Sequence, residues 1–197
     1  MPDVVVDVGI GACWGTVIVV WLIGAAYNAR LSGRRHRTRD RSGMGAYLAA
    51  IAICAVVVLL GYGYLHSLVF DAVWARYLGL AVLVVSSAFS VWARLVLGSM
   101  WSVGPEVGGD RRLRTGGPYG VTRHPIYTGL LGMLVGTALL AGGHELIALI
   151  VVGAVLFEVK IHQEERLMVA TFPDEYPGYR RRVPQIVPFL RLPRAGR

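Results

Sequence analysis

Long apolar stretches constrain the fold of this chain more than any other feature of its sequence. Five such stretches run roughly over Val8–Ala29, Gly45–His66, Val73–Gly98, Pro125–Ala141 and Glu145–Ile161. The first three reach the roughly 20 residues that a helix needs to cross a bilayer, and only three residues separate the last two. Since only helices and closed barrels satisfy their backbone hydrogen bonds in lipid, we predict an all-α polytopic membrane protein. It would have five transmembrane helices, the last two forming a tight helical hairpin.

Composition and small-residue spacing agree with this class. Of the 197 residues, 55% are hydrophobic and 16% are charged, which is less charge than soluble domains carry. Both cysteines lie inside apolar stretches without CxxC spacing, so the sequence indicates neither a disulfide framework nor a metal site. The N-terminal MPDVVVDVGI has no basic region, which argues against a cleaved signal peptide. In the fourth stretch, Gly129, Gly132 and Gly136 predict close packing against another helix.

The arginines predict how the chain is oriented. Six lie in the loop NARLSGRRHRTRDRSG after the first stretch. The loop before the fourth stretch contains Arg111, Arg112, Arg114 and Arg123, and the tail contains Arg166, Arg180, Arg181, Arg182, Arg191, Arg194 and Arg197. By the positive-inside rule these segments are cytoplasmic and the N-terminus is outside, as an odd number of spans requires. We therefore expect a protein integral to the cytoplasmic (inner or plasma) membrane, whose net charge of +8 needs no nucleic-acid partner to explain it.

Three polar clusters fall on the predicted cytoplasmic side. The first is the third loop, Arg111 to Tyr127, with the run GPYGVTRHPIY. The second is the end of the fifth stretch, EVKIHQEERLM, and the third is the tail FPDEYPGYRRRVPQIVP. Their position on one face predicts that they come together.

The third loop has two interpretations. Pro125 suits the first turn of a helix, and His124 before it is pushed away from helical geometry. The N–H groups at that helix start, with Arg123 and His124 beside them, suit a carboxylate or another anion. Alternatively, Tyr119 and Tyr127 anchor a loop at the membrane interface.

The other two clusters are also open to two interpretations. Lys160 and Glu164 share one helix face, which suits either a site in a watery cavity or an ordinary ion pair at a solvated helix end. A zinc site would need a ligand spacing that is not present. The tail carries Tyr176 and Tyr179 beside three arginines, a composition typical of a segment docked on membrane lipids.

Taken in order, the motifs GPY-x3-RHP-x-Y-x-G, EE-x-L and F-x-x-E-Y-x-x-Y-x-x-R-V-P resemble the isoprenylcysteine carboxyl methyltransferase family. They are also similar to the wider group of membrane phospholipid methyltransferases. The resemblance covers about Arg111 to Pro188. It implies one integral membrane domain over residues 1–197. Residues 1–100 would supply three N-terminal transmembrane helices, and residues 101–197 a cofactor-binding methyltransferase core with a cytoplasmic C-terminal cap.

The resemblance also implies ligands and roles. The cofactor would be S-adenosyl-L-methionine, with S-adenosyl-L-homocysteine as product, and the second substrate a lipophilic molecule or lipid entering from the bilayer. Cofactor contacts are expected from Arg111, Arg112, Leu113, Arg114, Tyr119, Arg123, His124, Pro125, Tyr127 and Glu164. Substrate contacts are expected from Lys160, Tyr176, Tyr179 and Arg182, with Lys160 and Glu165 as catalytic residues and no metal.

One difference between this sequence and the family pattern concerns the methyl acceptor. Prenylcysteine carboxyl methyltransferases commonly have an arginine four residues before the paired glutamates, and here that residue is Lys160. A lysine pairs with a carboxylate without the two-pronged fit of a guanidinium. If the acceptor is a carboxylate, Lys160 would orient it; if it is an amine, Glu165 or Glu158 would act as base. Prenylated protein, isoprenoid acid, phospholipid amine and small lipophilic thiol or phenol stay open as acceptors.

Two rival functions follow from the same residues. Membrane sterol reductases have a similar C-terminal region, and arginines such as Arg111 and Arg112 suit the 2′-phosphate of NADPH. A non-catalytic membrane scaffold would have polar clusters that are merely interfacial. Binding of S-adenosylhomocysteine, of NADP or of neither separates the three.

Overall fold

The computed structural model describes residues 3–31, 72–98, 113–142 and 145–190, and these ranges are helical with no strand. Their helices are α1 Asp3–Leu31, α2 Val73–Leu97, α3 Pro118–Val121, α4 Pro125–Ala141, α5 Glu145–Thr171 and α6 Tyr176–Arg182. The all-α prediction is confirmed for this part of the chain.

Two of these helices are long and apolar enough to cross a membrane, judged by length and composition. They are Asp3–Tyr27 within α1 and Val73–Leu97, with Pro125–Ala141 as a shorter apolar helix. The predicted span Gly45–His66 lies outside the described residues. The count of five spans, the tight hairpin and the cytoplasmic orientation therefore stay predictions.

Helix α5 continues to Thr171, well beyond the predicted end of the fifth span at Ile161. Ion pairs one turn apart support the extension. Lys160 Nζ lies 3.8 Å from Glu164 Oε1, and His162 Nδ1 lies 3.3 Å from Glu158 Oε1. The helix ends only before Pro173. This extension carries the paired glutamates on a rigid helix.

The core lies mainly between α2 and α4, with α1 packed beside them. Leu83, Met133 and Leu140 are fully buried there, and Val6 and Val17 of α1 join them. Trp14 of α1 donates from Nε1 to Thr137 Oγ1 at 3.1 Å. The packing fixes the start of α4, where the polar residues of the third loop are found.

Glycines allow α2 and α4 to approach this closely. A Cβ atom on Gly129 would lie 2.6 Å from Ser90 Cβ, and one on Gly136 would lie 2.6 Å from the backbone N of Leu83. Gly132 faces the side chain of Ser86. The predicted packing role of the glycine row is confirmed.

We expect Gly136→Ala to lower the free energy of unfolding by about 1–3 kcal/mol, because the new methyl group meets backbone atoms on α2 that cannot rotate away. Gly15→Ala on α1 is the matched control. Nothing lies within 4 Å of its added Cβ, so the better helix propensity of alanine should leave stability unchanged or raised by up to about 1 kcal/mol. Thermal unfolding of both variants in detergent checks the contrast, and equal effects would contradict it.

Helix α4 begins as its sequence predicts. Pro125 occupies the first turn, and His124 before it has φ −123° and ψ 63°, outside the helical region. At the other end Gly142 closes the helix in the left-handed conformation with φ 71°. The non-helical backbone before Pro125 places Arg123 and His124 in contact with α5 and the C-terminal residues.

Candidate functional site

The three polar clusters predicted from sequence meet around the start of α4. Arg123 and His124 come from the loop between α3 and α4, the paired glutamates from α5, and residues 176–186, here called the C-terminal segment, from the tail. The side chains of Arg123, His124 and Glu165 are only 7%, 8% and 9% exposed. A cluster this charged and this buried is held together by its own ion pairs.

Arg123 and Glu165 form the central pair. Nε of Arg123 donates to Oε1 of Glu165 at 2.8 Å, and Nη2 lies 2.6 Å from the same oxygen. The other carboxylate oxygen, Oε2, lies 3.1 Å from Nε of Arg180. Burial opposes the charge of Glu165, but contact with His124, the hydrogen bond from Arg123 and the positive charges nearby lower its pKa to about 2. Both oxygens of Glu165 are therefore engaged by arginines, and its role as a base for an amine acceptor stays a prediction.

His124 lies between the two glutamates. Its Nδ1 is 3.6 Å from Oε2 of Glu164, and its Nε2 is 3.6 Å from Oε1 of Glu165. Burial alone favours the neutral ring, but contact with the two negatively charged carboxylates raises the pKa of His124. The imidazole therefore tends to carry a proton and to bridge the carboxylates.

Glu164 is the more accessible glutamate, with its side chain 34% exposed. Tyr127 Oη donates to its Oε1 at 2.7 Å, and Lys160 Nζ approaches the same oxygen at 3.8 Å. Burial would raise the pKa of Glu164, but contact with His124, the hydrogen bond from Tyr127 and the charges of His124 and Lys160 lower it. The ring of Tyr127 also packs on Phe157, with centroids 5.1 Å apart. The result is an ionised, partly exposed carboxylate hydrogen-bonded to a tyrosine whose ring packs on Phe157.

Tyrosines attach the C-terminal segment to the third loop. Tyr179 Oη donates to the carbonyl of Tyr119 at 2.7 Å, and the ring of Tyr176 lies 5.8 Å from that of Tyr179. All three tyrosines are buried, and burial raises the pKa of each above its ordinary value. They remain neutral phenols and serve as packing and hydrogen-bonding groups.

Five residues that were predicted to contact the cofactor or substrate are not seen among the buried residues that the structure describes at the site. Arg111 and Arg112 lie outside the described residues. Arg114 and Arg182 are exposed and Leu113 is half-buried, and their predicted ligand contacts stay predictions.

Sequence reasoning missed several members of the site. Thr128 Oγ1 donates to the carbonyl of Ile186 at 2.7 Å, and Gln185 Nε2 donates to Glu158 Oε2 at 2.8 Å. Arg180 contacts Glu165, although the sequence favoured an interpretation in which the tail arginines face membrane lipids. Thr128 could have been identified from the sequence, because it lies one helical turn after His124, on the same face of α4.

The elevated pKa of His124 predicts a stability that depends on pH. Because the folded-state pKa lies above the ordinary value of 6.5, the contribution is fully present below pH 6.5 and is lost as the pH rises through the folded-state value. We expect the melting temperature in detergent to fall over that window. His124→Gln should remove this alkaline step, whereas His162→Gln, at a side chain 64% exposed, should leave it in place. A step that survives in His124→Gln would contradict the assignment.

The central part of this chain matches a known protein family. A family model described as phospholipid methyltransferase matches residues 74–175. This range contains Arg123, His124, Glu164 and Glu165 together with most of α2 and all of α4 and α5.

Curated relatives match the same part of the chain. Methanethiol S-methyltransferase 2 of Bradyrhizobium diazoefficiens is 39% identical over 87 residues, which are 44% of this chain and 32% of that protein. Protein-S-isoprenylcysteine O-methyltransferase of Schizosaccharomyces pombe is 34% identical over 84 residues, 41% of this chain and 35% of that protein. The corresponding Xenopus laevis protein is 28% identical over 121 residues, 60% of this chain and 42% of its own length. The matches thus span about a third of the length of the first two relatives.

A solved structure shares the fold. The eukaryotic intramembrane Ras methyltransferase, isoprenylcysteine carboxyl methyltransferase, superposes with a TM-score of 0.60 at 21% sequence identity. The match covers 92% of this chain and 68% of that one. The helical arrangement described above is therefore that of a known membrane-protein fold.

Proposed function

This chain belongs to the phospholipid methyltransferase family, and from that premise we propose that it is an integral-membrane, S-adenosylmethionine-dependent methyltransferase acting on a lipophilic acceptor. The observation that carries the proposal is the Glu164 site. A partly exposed carboxylate, hydrogen-bonded by Tyr127 and contacted by His124, lies within the family-matched region.

The residues around Glu164 fit the charged end of this cofactor. The ionised carboxylate suits its ammonium group, since charge-assisted hydrogen bonds of this kind are about twice as strong as neutral ones. The rings of Tyr127 and Phe157 suit a cation that lies close to their faces. His124 would help to hold Glu164 in place, since its Nδ1 lies 3.6 Å from that carboxylate. The donor set is therefore compatible with S-adenosylmethionine.

The protein's part in the reaction is binding and alignment. S-adenosylmethionine supplies a methyl group already activated on a sulfonium, so no nucleophilic side chain is needed. Glu164 would fix the ligand from α5, and Tyr127 would hold that carboxylate in place through its 2.7 Å hydrogen bond. The buried Arg123–Glu165 pair and the C-terminal segment would keep water out. Alignment of this kind accounts for a large share of the rate of bimolecular transfers.

We infer that the acceptor is a lipophilic carboxylate or thiol. The curated relatives are named for methanethiol S-methylation and for isoprenylcysteine O-methylation. Lys160 is the residue that would orient a carboxylate, because it lies one turn before Glu164 on the same face of α5. We assign the active site to the cytoplasmic side, in keeping with the distribution of arginines.

Lys160→Met tests whether the methyl acceptor is a carboxylate or a thiol. With a carboxylate acceptor we expect turnover to fall by roughly 100-fold, since a charged partner is lost, with little change in affinity for S-adenosylhomocysteine. Lys160→Arg is the matched variant and should retain most of the turnover, because a guanidinium also pairs with a carboxylate. Unchanged turnover in Lys160→Met would remove Lys160 from the mechanism and favour the thiol.

Ligand-dependent stability tests the proposed function itself. S-adenosylhomocysteine at about 100 times its dissociation constant should stabilise the detergent-solubilised protein by about 2.7 kcal/mol. NADP should have no effect. Stabilisation by NADP alone would instead indicate a reductase, and stabilisation by neither would indicate a membrane scaffold.

A further inference from the structure

We propose that Arg123 is a positioning residue that ties the C-terminal segment to helix α5, and that it does not contact the cofactor. The proposal rests on the proposed function only where it concerns the cofactor. The tie itself depends on the contacts of Arg123, Glu165 and residues 176–186.

Every nitrogen of the Arg123 side chain is used within the protein. Nε and Nη2 meet Oε1 of Glu165 at 2.8 and 2.6 Å. Nη1 donates to the carbonyl of Val183 at 2.6 Å and to that of Arg180 at 3.2 Å. With the side chain 7% exposed, a ligand carboxylate would have to displace these partners to reach it. The sequence pattern assigned Arg123 to the cofactor because such internal partners cannot be read from it.

The two carbonyls lie at the end of a helix. Arg180 belongs to the last turn of α6, and Val183 is the first residue after this helix. Carbonyls at a helix C-terminus have no partner within the helix, and they carry the negative end of its dipole. A guanidinium is therefore a favourable partner at this point, and the fixed fork of Arg123 reaches both carbonyls and Glu165 together.

Backbone hydrogen bonds continue the attachment beyond the side chain. Arg123 N donates to the carbonyl of Pro184 at 2.8 Å, and His124 N donates to that of Gln185 at 3.1 Å. From the opposite side, Oε2 of Glu165 pairs with Arg180 at 3.1 Å. The third loop, α5 and the C-terminal segment are thus joined through one buried guanidinium and one buried carboxylate.

The consequence for the site is that Arg123 determines whether the C-terminal segment stays in place. The adjacent His124 and the partly exposed Glu164 lie directly beside this tie. Loss of the tie would open the site, and ligand affinity would fall in proportion to the fraction of molecules that remain closed. Such a loss affects every ligand of the site equally, whether or not the ligand carries a carboxylate.

Hydrogen exchange of the detergent-solubilised full chain tests the tie without any ligand. In Arg123→Met we expect amides in residues 176–186 to exchange at least about tenfold faster, while peptides from α2 keep their rates. Arg166→Met is the control, because Arg166 is an exposed arginine next to Glu165 on α5. Unchanged exchange in Arg123→Met would overturn the proposal. If that variant fails to fold, Arg123→Lys gives the same test, since a single ammonium cannot reach Glu165 and both carbonyls.

A pair of ligands tests whether Arg123 contacts the cofactor. S-adenosylhomocysteine carries a carboxylate and an ammonium that 5′-methylthioadenosine lacks. A positioning residue predicts that Arg123→Met weakens both ligands by the same factor. A weakening confined to S-adenosylhomocysteine would show direct contact and overturn the proposal. If neither ligand binds the wild type, the proposed function fails, and the exchange result still decides the tie.

Discussion

Glu165→Ala is expected to lower the free energy of unfolding by about 3–5 kcal/mol, the usual cost of removing one member of a buried ion pair. The carboxylate is 9% exposed and pairs with Arg123 through one oxygen and with Arg180 through the other. Its loss leaves the Arg123 guanidinium buried without its counter-charge. Thermal or denaturant unfolding in detergent measures the change.

Glu158→Ala is the matched control for this prediction. Glu158 lies on the same helix, and its side chain is 48% exposed while it pairs with His162 and accepts a hydrogen bond from Gln185, also in an exposed position. Exposed pairs of this kind contribute about 0–1 kcal/mol, so the control should be nearly neutral. Similar losses for the two variants would show that the Glu165 cluster does not stabilise the fold as described.

Glu164→Gln is expected to reduce affinity for S-adenosylhomocysteine by about 100-fold, because a charged hydrogen-bonding partner of the ligand's ammonium is replaced by a neutral amide. The amide oxygen can still accept the hydrogen bond from Tyr127. The side chain is also 34% exposed, so the variant should fold and remain only slightly less stable. Titration calorimetry on the purified protein measures the affinity.

Glu158→Gln provides the corresponding comparison for binding. It removes one negative charge from the same helix, in an exposed position where Glu158 contacts Gln185. Affinity should change by no more than about threefold, since exposed charges are screened by solvent and salt. An equal loss in both variants would mean that long-range charge, and not the Glu164 position, governs binding.

Sequence patterns that span only a few residues predicted much of the helical structure. The apolar stretches indicated helices, Pro125 indicated where α4 begins, and the glycine spacing indicated the face that packs on α2. These features depend on residues within a few positions of one another, where backbone sterics and periodicity decide the outcome. The meeting of the third loop, the paired glutamates and the tail also followed from their common side and the family resemblance.

Partner choice within the cluster could not be predicted from local rules. Arg123, His124 and Lys160 are all cationic candidates for the same two glutamates, and only tertiary packing decides which one meets which. Arg123 lies 42 positions from Glu165 in sequence and 60 from the carbonyl of Val183. Sequence likewise did not indicate that Glu165, which pairs with Arg180 of the C-terminal segment, would be more buried than Glu164.

Transfer of a labelled methyl group tests the central claim most directly. The purified protein is incubated with S-adenosylmethionine carrying a radiolabelled methyl group and with membrane lipid or protein extracts, beside Glu164→Gln and Glu158→Gln. We predict label in a lipophilic product for the wild type and Glu158→Gln, and a loss of about 100-fold for Glu164→Gln at subsaturating cofactor. Absence of transfer by the wild type, or transfer that Glu164→Gln leaves unchanged, would contradict a methyltransferase site built around Glu164.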